Sequence, residues 1–546
     1  MAIESGAVPR FSRRDWLIVA ALLLAAGALR VFGLEHLPPG LWFDEGLNGC
    51  DALDIAHGGP WKMVFPAVFP REPLLIYPIA LFVKIFGPHI WTVRLPAALV
   101  GTLAPALLYL WIRRAAGFYA ALCAAIFLVT FRWHLHFSRI GLRTIYTPTL
   151  ACAYFACLWM ALDTRHRRYA VLAGVMLGLG IYAYLSWYFF IPVALVTAAV
   201  GFLRINDTAS TNPKTLVGQG PPYNSQVGLH GKRALIWVVA AAVMVATPMM
   251  IHYWRIPTDA TGRTKELSLF GNGVAVAMPE LLKNARDASL MLFWRGDHVG
   301  KHNIPWKPAL EPVGALLFFL GLAHIIRTLR RSTLSLSLLL YLVCCTMPTV
   351  FSKTDSANFL RTLILTPAVA SVVGLGADAL RRYGARHPRT ARLSAAIPLL
   401  VLAFSAISML SLYFRTWANI PGLKYTQFNG EQTDIARFAL QEAHEAKVFV
   451  PAVIAKESYP FRFLTSGVAN ICSYDSSLAF LNALPQGPVV VIESPTIYAR
   501  PAESDPFVYQ RILRQFPRPQ IVYQFQTTNE EGEEDTWAQA WLLKTP

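Results

Sequence analysis

Trp16-Leu17-Ile18-Val19-Ala20-Ala21-Leu22-Leu23-Leu24-Ala25-Ala26-Gly27-Ala28-Leu29-Arg30-Val31-Phe32-Gly33 is followed by a short Pro-containing turn and then by Leu41-Trp42-Phe43-Asp44-Glu45-Gly46. The first stretch is apolar over a length that suits the ~30 Å hydrocarbon core of a bilayer. It has no small-residue cleavage pattern, so it reads as a retained span rather than a signal peptide. The second stretch therefore sets two adjacent carboxylates just beyond the membrane boundary, where charge needs a reason.

Ten further apolar runs follow, near 94–112, 118–133, 146–162, 169–185, 187–203, 234–251, 311–326, 334–350, 360–380 and 393–413, which gives eleven in all. The composition agrees: 55% of the 546 residues are hydrophobic and 15% are charged, against about 45–50% and 25% in soluble domains. The chain reads as a mostly α, polytopic membrane protein.

The net charge of +17 would suit a nucleic-acid binder if it were spread along the chain. It is not. From Arg415 onward there are 11 Lys and Arg against 14 Asp and Glu, so the excess belongs to the membrane part. There it forms clusters at every second loop: Arg10/Arg13/Arg14, Arg113/Arg114, Arg165/Arg167/Arg168, Arg204/Lys214/Lys232/Arg233, Arg327/Arg330/Arg331 and Arg381/Arg382/Arg386/Arg389/Arg392. The positive-inside rule accounts for this alternation, predicts a cytoplasmic N-terminus and an extracytoplasmic C-terminus, and removes nucleic acid as a partner. Membrane lipids are the surroundings such a chain implies, and the cytoplasmic membrane is the expected location.

Pro73 to Phe86 is apolar but too short to span and contains Pro78. It reads as a helix lying on the outer face. That face then carries loops 34–93 and 252–310. The loop 204–233, rich in Gly, Pro, Asn and Ser, is expected to be cytoplasmic and disordered. After about residue 416 the character changes. Lys447–Val450 and Pro488–Ile492 read as buried strands and Asp434–Glu445 as an amphipathic helix, so residues 417–546 are expected to form a small extracytoplasmic α/β domain beside a transmembrane module of residues 1–416. The seven cysteines show no metal spacing, and Cys50 and Cys472, outside the spans, are available to pair with each other.

The expected outer face gathers chemistry-bearing residues. Asp44 and Glu45 come first, each open to a helix-capping or first-turn role as well as a chemical one. Arg71-Glu72 precedes the interfacial helix and Arg94 stands at the mouth of the second span. Arg139 and Arg143, four residues apart, share one face if that stretch is helical. Asp297, His298 and His302 lie before the eighth span, and Arg361 opens the tenth. Guanidinium forks suit a phosphate headgroup. A carboxylate beside one could take a proton from an attacking hydroxyl, help worth roughly 10²–10⁴ in rate.

In these features the sequence resembles the GT-C membrane glycosyltransferases of the protein O-mannosyltransferase and aminoarabinose transferase type (family 39-like). The resemblance covers roughly residues 14–380 and rests on Phe43-Asp44-Glu45, Arg71-Glu72-Pro73-Leu74, Arg94-Leu95-Pro96-Ala97-Ala98-Leu99, Ser138-Arg139 with Arg143, and Gly296-Asp297 through His302-Asn303 to Glu311-Pro312. It implies a polyprenyl-phosphate-sugar donor, a hydroxyl acceptor on a protein, glycan or lipid, Asp44 as base, and inversion at the anomeric carbon. It places Arg71 where relatives set a basic residue against the donor phosphate. Relatives often have Pro where this chain has Glu72. A divalent metal ion is used by some relatives and not others, which leaves it open here. The rival reading is a transporter or flippase of a lipid-linked sugar, which would want ionisable groups near the bilayer midplane; most charges here sit at span ends.

Overall fold

The computed structural model describes residues 11–210, 224–272, 274–386, 393–474, 488–493, 520–529 and 531–544. Its first part is a helical bundle. The chain begins with α1 (Arg13–Val31), α2 (Phe43–Ala56), α3 (Ile76–Phe86), α4 (Ile90–Ala115) and α5 (Phe118–Thr130). It continues through the short α6 (Arg132–Phe137), α7 (Tyr146–Thr164), α8 (Arg167–Leu179), α9 (Phe190–Ser210), α10 (Asn224–Arg255), α11 (Pro257–Leu267) and α12 (Val274–Leu290). The bundle closes with α13 (Pro312–Thr328), α14 (Thr333–Cys344), α15 (Met347–Val350), α16 (Thr366–Ala385) and α17 (Ala396–Ser411).

Each of the eleven apolar runs is helical for most of its length. Among the described residues, seven helical stretches are long and apolar enough to cross a bilayer: 90–115, 143–164, 185–204, 231–255, 333–350, 363–385 and 396–419. The protein is an integral membrane protein. The segment 204–233 departs from expectation. Helix α9 runs on through Ser210 and α10 begins at Asn224; no Gly or Pro interrupts residues 204–210, so the apolar helix simply propagates outward. The remainder of that loop, and Arg10, Arg389 and Arg392 of the basic clusters, lie outside the described residues.

Buried polar contacts set the register of the bundle. Asp15 at the start of α1 accepts from Arg113 Nε at 2.8 Å and from the Tyr109 hydroxyl at 2.6 Å, which ties the start of α1 to the end of α4. At the other end of α1, Arg30 donates to the carbonyls of Leu128 (3.4 Å) and Val129 (3.2 Å) and meets His134 Nδ1 at 3.0 Å. Those carbonyls end α5, where no intrahelical donor follows. Helix α3 is 11 residues long, about 16 Å by helical rise. Ile76, Ile79, Ala80 and Val83 face the protein, whereas Leu81, Ile85 and Phe86 are exposed. An exposed apolar stripe of this kind belongs against lipid.

The last part holds α18 (Gly430–Glu442), α19 (Ala452–Glu457), α20 (Tyr459–Leu464) and five strands: β1 (Lys447–Pro451), β2 (Ile471–Tyr474), β3 (Pro488–Glu493), β4 (Gln520–Thr528) and β5 (Glu534–Lys544). They form one mixed sheet in the order β2-β1-β3-β5-β4, parallel about β1 and antiparallel about β5. Phe438 of α18 stacks against Tyr523 and meets Phe525 edge-on, fixing the helix to the sheet. All seven cysteines are free, so Cys50 and Cys472 are not paired.

This part sits directly on α2. Leu41 N donates to Thr433 Oγ1 at 3.0 Å and Phe43 N to Asn429 Oδ1 at 2.8 Å. The Phe43 and Tyr459 rings meet edge-on at 5.1 Å. A side chain at Gly46 would strike the backbone of Tyr459 and Pro460, so the close approach of α2 and α20 needs glycine there.

Candidate active site

The site is built at the N-terminus of α2. Acidic residues are favoured in a first turn by the exposed N–H groups and the helix dipole, so local physics alone would keep both Asp44 and Glu45 here. Consecutive helical residues point about 100° apart, and the two carboxylates meet different surroundings.

Glu45 is fully buried. Its two oxygens accept from Arg94 Nε and Nη2, each at 2.8 Å, and also from Gly141 N at 2.8 Å and Trp42 N at 3.1 Å. Arg94 is as buried, and its remaining protons go to the carbonyls of Leu34 (3.0 Å), Pro38 (2.7 Å) and Gly40 (2.6 Å). The pair closes the loop between α1 and α2 onto α4. Expected as site residues, Glu45 and Arg94 stand behind the site with every strong donor and acceptor engaged.

Asp44 is half-buried, and its charge bears on Arg71, Arg143 and Lys301. Arg71 is 1% exposed. It donates to Asn48 Oδ1 at 2.7 Å and to Asp51, both on α2, while its buried Nε has no protein partner. Asn48 is one turn beyond Asp44 and in turn donates to Gly141 O at 2.9 Å. Burial pushes Asp51 above the ordinary carboxylate range, against the pull of Arg71. Burial also pulls Arg71 down, against Asp51 and Asp44.

Glu72 is buried and accepts from Arg143 Nε at 2.5 Å; the Arg143 guanidinium lies 5.3 Å from the centre of the Tyr184 ring. Lys301 arrives from the loop before α13 and holds its ammonium 4.4 Å from the centre of the Trp42 ring. Burial lowers its pKa, with Asp44 the largest opposing influence. The structure thus brings together Asp44, Arg71, Glu72, Arg143 and Lys301. Asn48 was not singled out by sequence, and Lys301 stood out there only as part of the outer-face run Lys301-His302-Asn303, with no role of its own. Asn48 had a signal, its i,i+4 spacing from Asp44; Lys301 had none beyond its place in a loop of His and Asp.

The other expected residues take separate posts. Arg139 and Arg143 do not share a helical face, because α6 ends at Phe137 and an irregular turn intervenes. Arg139 is fully buried and donates to Leu29 O at 2.7 Å and Leu37 O at 2.9 Å, stapling the end of α1. Asp297 is fully buried too and accepts from His302 Nδ1 (3.0 Å), Val299 N (2.9 Å) and Phe359 N (2.9 Å). These donors hold its carboxyl below the usual range, overcoming the larger upward push of burial. Asp297 organises the loop that delivers Lys301. The His302 ring centre lies 5.9 Å from that of Trp42. His298 is exposed, stacked on Trp306 and 3.8 Å from Asp355. Arg361 donates to the Thr354 carbonyl and, at 2.7 Å, to its hydroxyl. Among the described residues no three His, Cys, Asp or Glu side chains gather closely enough to hold a metal ion.

The family described as dolichyl-phosphate-mannose-protein mannosyltransferase matches this chain over residues 70–217. No curated protein sequence matches it significantly. Among solved structures, ArnT from Cupriavidus metallidurans in the apo state is similar at 14% identity and a TM-score of 0.51, covering 97% of this chain and 98% of that one. The same protein bound to undecaprenyl phosphate gives 13% identity and a TM-score of 0.50, covering 98% and 100%. The Archaeoglobus fulgidus oligosaccharyltransferase tethered with an acceptor peptide gives 14% identity and a TM-score of 0.46; it covers 84% of this chain, which spans 63% of that protein's length. At such identities the likeness to ArnT is one of fold.

Proposed function

We propose that this chain, an integral membrane protein with the GT-C glycosyltransferase fold, moves a sugar from a polyprenyl-phosphate carrier to a hydroxyl on a protein, glycan or lipid, with Asp44 as general base. One observation carries the reading: of two adjacent carboxylates, one is sealed into a buried ion pair and the other stays accessible beside three cations.

The acceptor O–H gives its proton to Asp44 while its oxygen bonds to the anomeric carbon. The bond from that carbon to the phosphate oxygen breaks, and the polyprenyl phosphate leaves from the opposite face, giving inversion. Arg71, Arg143 and Lys301 receive the phosphate, whose charge grows as the bond breaks. Fixed charges placed where charge develops usually lower such a barrier more than any other single effect. Glu72 and Asn48 hold the two guanidiniums in place. The undecaprenyl phosphate bound by ArnT supports the donor class, and the mannosyltransferase family match over residues 70–217, which include Arg71, Glu72 and Arg143, supports the transferase class. The alternating basic clusters support an extracytoplasmic site in the cytoplasmic membrane. In this reading residues 1–416 are the catalytic module, and 417–546 hold the helix that carries Asp44.

The test is Asp44→Asn in the purified full-length protein with a lipid-linked donor. Transfer is expected to fall by roughly 10²–10⁴ with the melting temperature unchanged. Wild-type transfer by the folded variant would overturn the assignment.

A further inference from the structure

A cavity lies at the opposite end of the bundle from Asp44. Helix α4 carries Arg94 near its start and Arg113-Arg114 near its end; the rise between Arg94 and Arg114 is about 30 Å, one hydrocarbon thickness. The cavity encloses about 490 Å³ where the ends of α4, α5, α13, α14 and α16 converge.

Its walls combine three features that attract a compact anion. Three guanidiniums line it, from Arg113, Arg114 and Arg382. Two helices begin on it: α5 after Gly117, which supplies no side-chain cap, and α14, where the Ser332 hydroxyl caps Ser335 N and leaves the other first-turn N–H groups. Helix N-termini present unpaired N–H groups and a partial positive charge. Finally, the side chain of Arg114 is 6% exposed and its Nε is buried without a partner. A buried guanidinium proton without an acceptor is costly and calls for one.

Each lining guanidinium has one carboxylate partner, and the buried Arg114 Nε is the donor left over. Asp378 lines the cavity and is shared by Arg381 and Arg382, at 2.9 and 2.6 Å. Asp15 and Asp163 stand behind Arg113 and Arg114, at 2.8 and 2.9 Å. His324 is the remaining titratable side chain in the wall. Leu334 and Leu375 add an apolar side.

We propose that this cavity is a binding site for a phosphate-bearing anion, either the headgroup of an acidic phospholipid in the leaflet remote from Asp44 or free phosphate. The site is separate from the transfer chemistry and stands whether or not Asp44 is a base.

The test uses the full-length protein in neutral detergent, melted in the presence of dihexanoyl phosphatidylglycerol, inorganic phosphate, or dihexanoyl phosphatidylcholine. The anionic lipid is expected to raise the melting temperature where the zwitterionic one does not. If inorganic phosphate alone gives the full rise, free phosphate is the ligand; if only the lipid does, the headgroup is. Arg114→Gln and Arg382→Gln should each weaken the response about tenfold, the worth of one charge-assisted bond. Arg382 is 57% exposed, so its variant keeps the test open if Arg114→Gln fails to fold. No rise with either phosphate probe, an equal rise with phosphatidylcholine, or an undiminished response in Arg382→Gln would overturn the proposal.

Discussion

Glu45→Gln separates structure from chemistry at this site. The substitution keeps volume and shape but leaves Arg94 buried with no counter-charge. Breaking a buried ion pair from one side costs about 3–5 kcal/mol, and here the loss has little relief, because neither residue reaches solvent. The amide also cannot accept at both oxygens, so Gly141 N or Trp42 N loses a partner that now sits at 2.8 or 3.1 Å. The variant should melt well below the wild type in detergent while keeping transfer activity at a temperature where it is still folded. Asp44→Asn should do the reverse. Replacing both partners, Glu45→Met with Arg94→Met, should recover part of the stability. An apolar pair of similar size is often no worse than a buried ion pair, but three carbonyls, those of Leu34, Pro38 and Gly40, would lose their donor. A Glu45→Gln protein that melts with the wild type yet has lost transfer would refute the assignment of Glu45 as structural and return it to the catalytic centre.

Lys301→Met should raise the donor KM about tenfold, the worth of one charge-assisted phosphate contact, with little change in melting temperature, because the half-buried side chain is replaced by an apolar one of similar length beside Trp42; an unchanged KM removes it from the donor site. Stability should fall with acidification through His136. Burial holds its pKa at about 3, so between there and pH 6.5 the unfolded chain binds a proton that the native state refuses. The contribution is complete above pH 6.5 and shrinks as pH falls, by about 2 kcal/mol at pH 5, and melting curves of His136→Asn against pH should show a shallower slope. Asn429→Ala should cost about 1 kcal/mol, the net worth of one backbone hydrogen bond, and lower kcat more than it raises the donor KM, since it loosens the helix carrying Asp44; a wild-type kcat would show that this clamp is not felt at the site.

The membrane architecture was legible because a bilayer reads hydrophobic length directly, and apolar runs need no knowledge of what packs on what; of the eleven expected, seven helical stretches among the described residues are long and apolar enough to cross. The acidic pair was legible for a related reason: charge beside an apolar span is costly and stands out. The choice within the pair was not. Asp44 and Glu45 share the same helical turn and the same dipole, and Glu45 is withdrawn from solvent by Arg94, 49 residues away. Spacing misled at Arg139 and Arg143, where the i,i+4 relation holds only on a continuous helix and the chain breaks at Ser138. The loop of Asp297, His298 and His302 was visible as polar residues near a span. In the proposed mechanism its phosphate contact is Lys301; Asp297 spends its oxygens on His302 Nδ1 and on backbone N–H groups, whereas His302 keeps a buried Nε2 without a protein partner.

Many arginines near the site are unavailable to a ligand for the same reason. Arg30, Arg94 and Arg139 each donate mainly to carbonyls at helix ends or in turns, where a membrane-level bundle has no water to satisfy them. Arg71 and Arg143 differ in what they face: their partners are side chains, Asn48, Asp51 and Glu72, which can rotate. A phosphate arriving beside them can take over a guanidinium edge without orphaning a backbone group. In the proposed mechanism that distinction, side-chain partner against backbone partner, separates arginines that can exchange ligands during turnover from those that hold the fold. It also limits what removal of the last 130 or so residues can report. Asn429 and Thr433 satisfy the N–H groups of Phe43 and Leu41, so truncation after residue 416 would release the turn that carries Asp44, and a loss of activity would follow even if the acceptor never touched the C-terminal sheet.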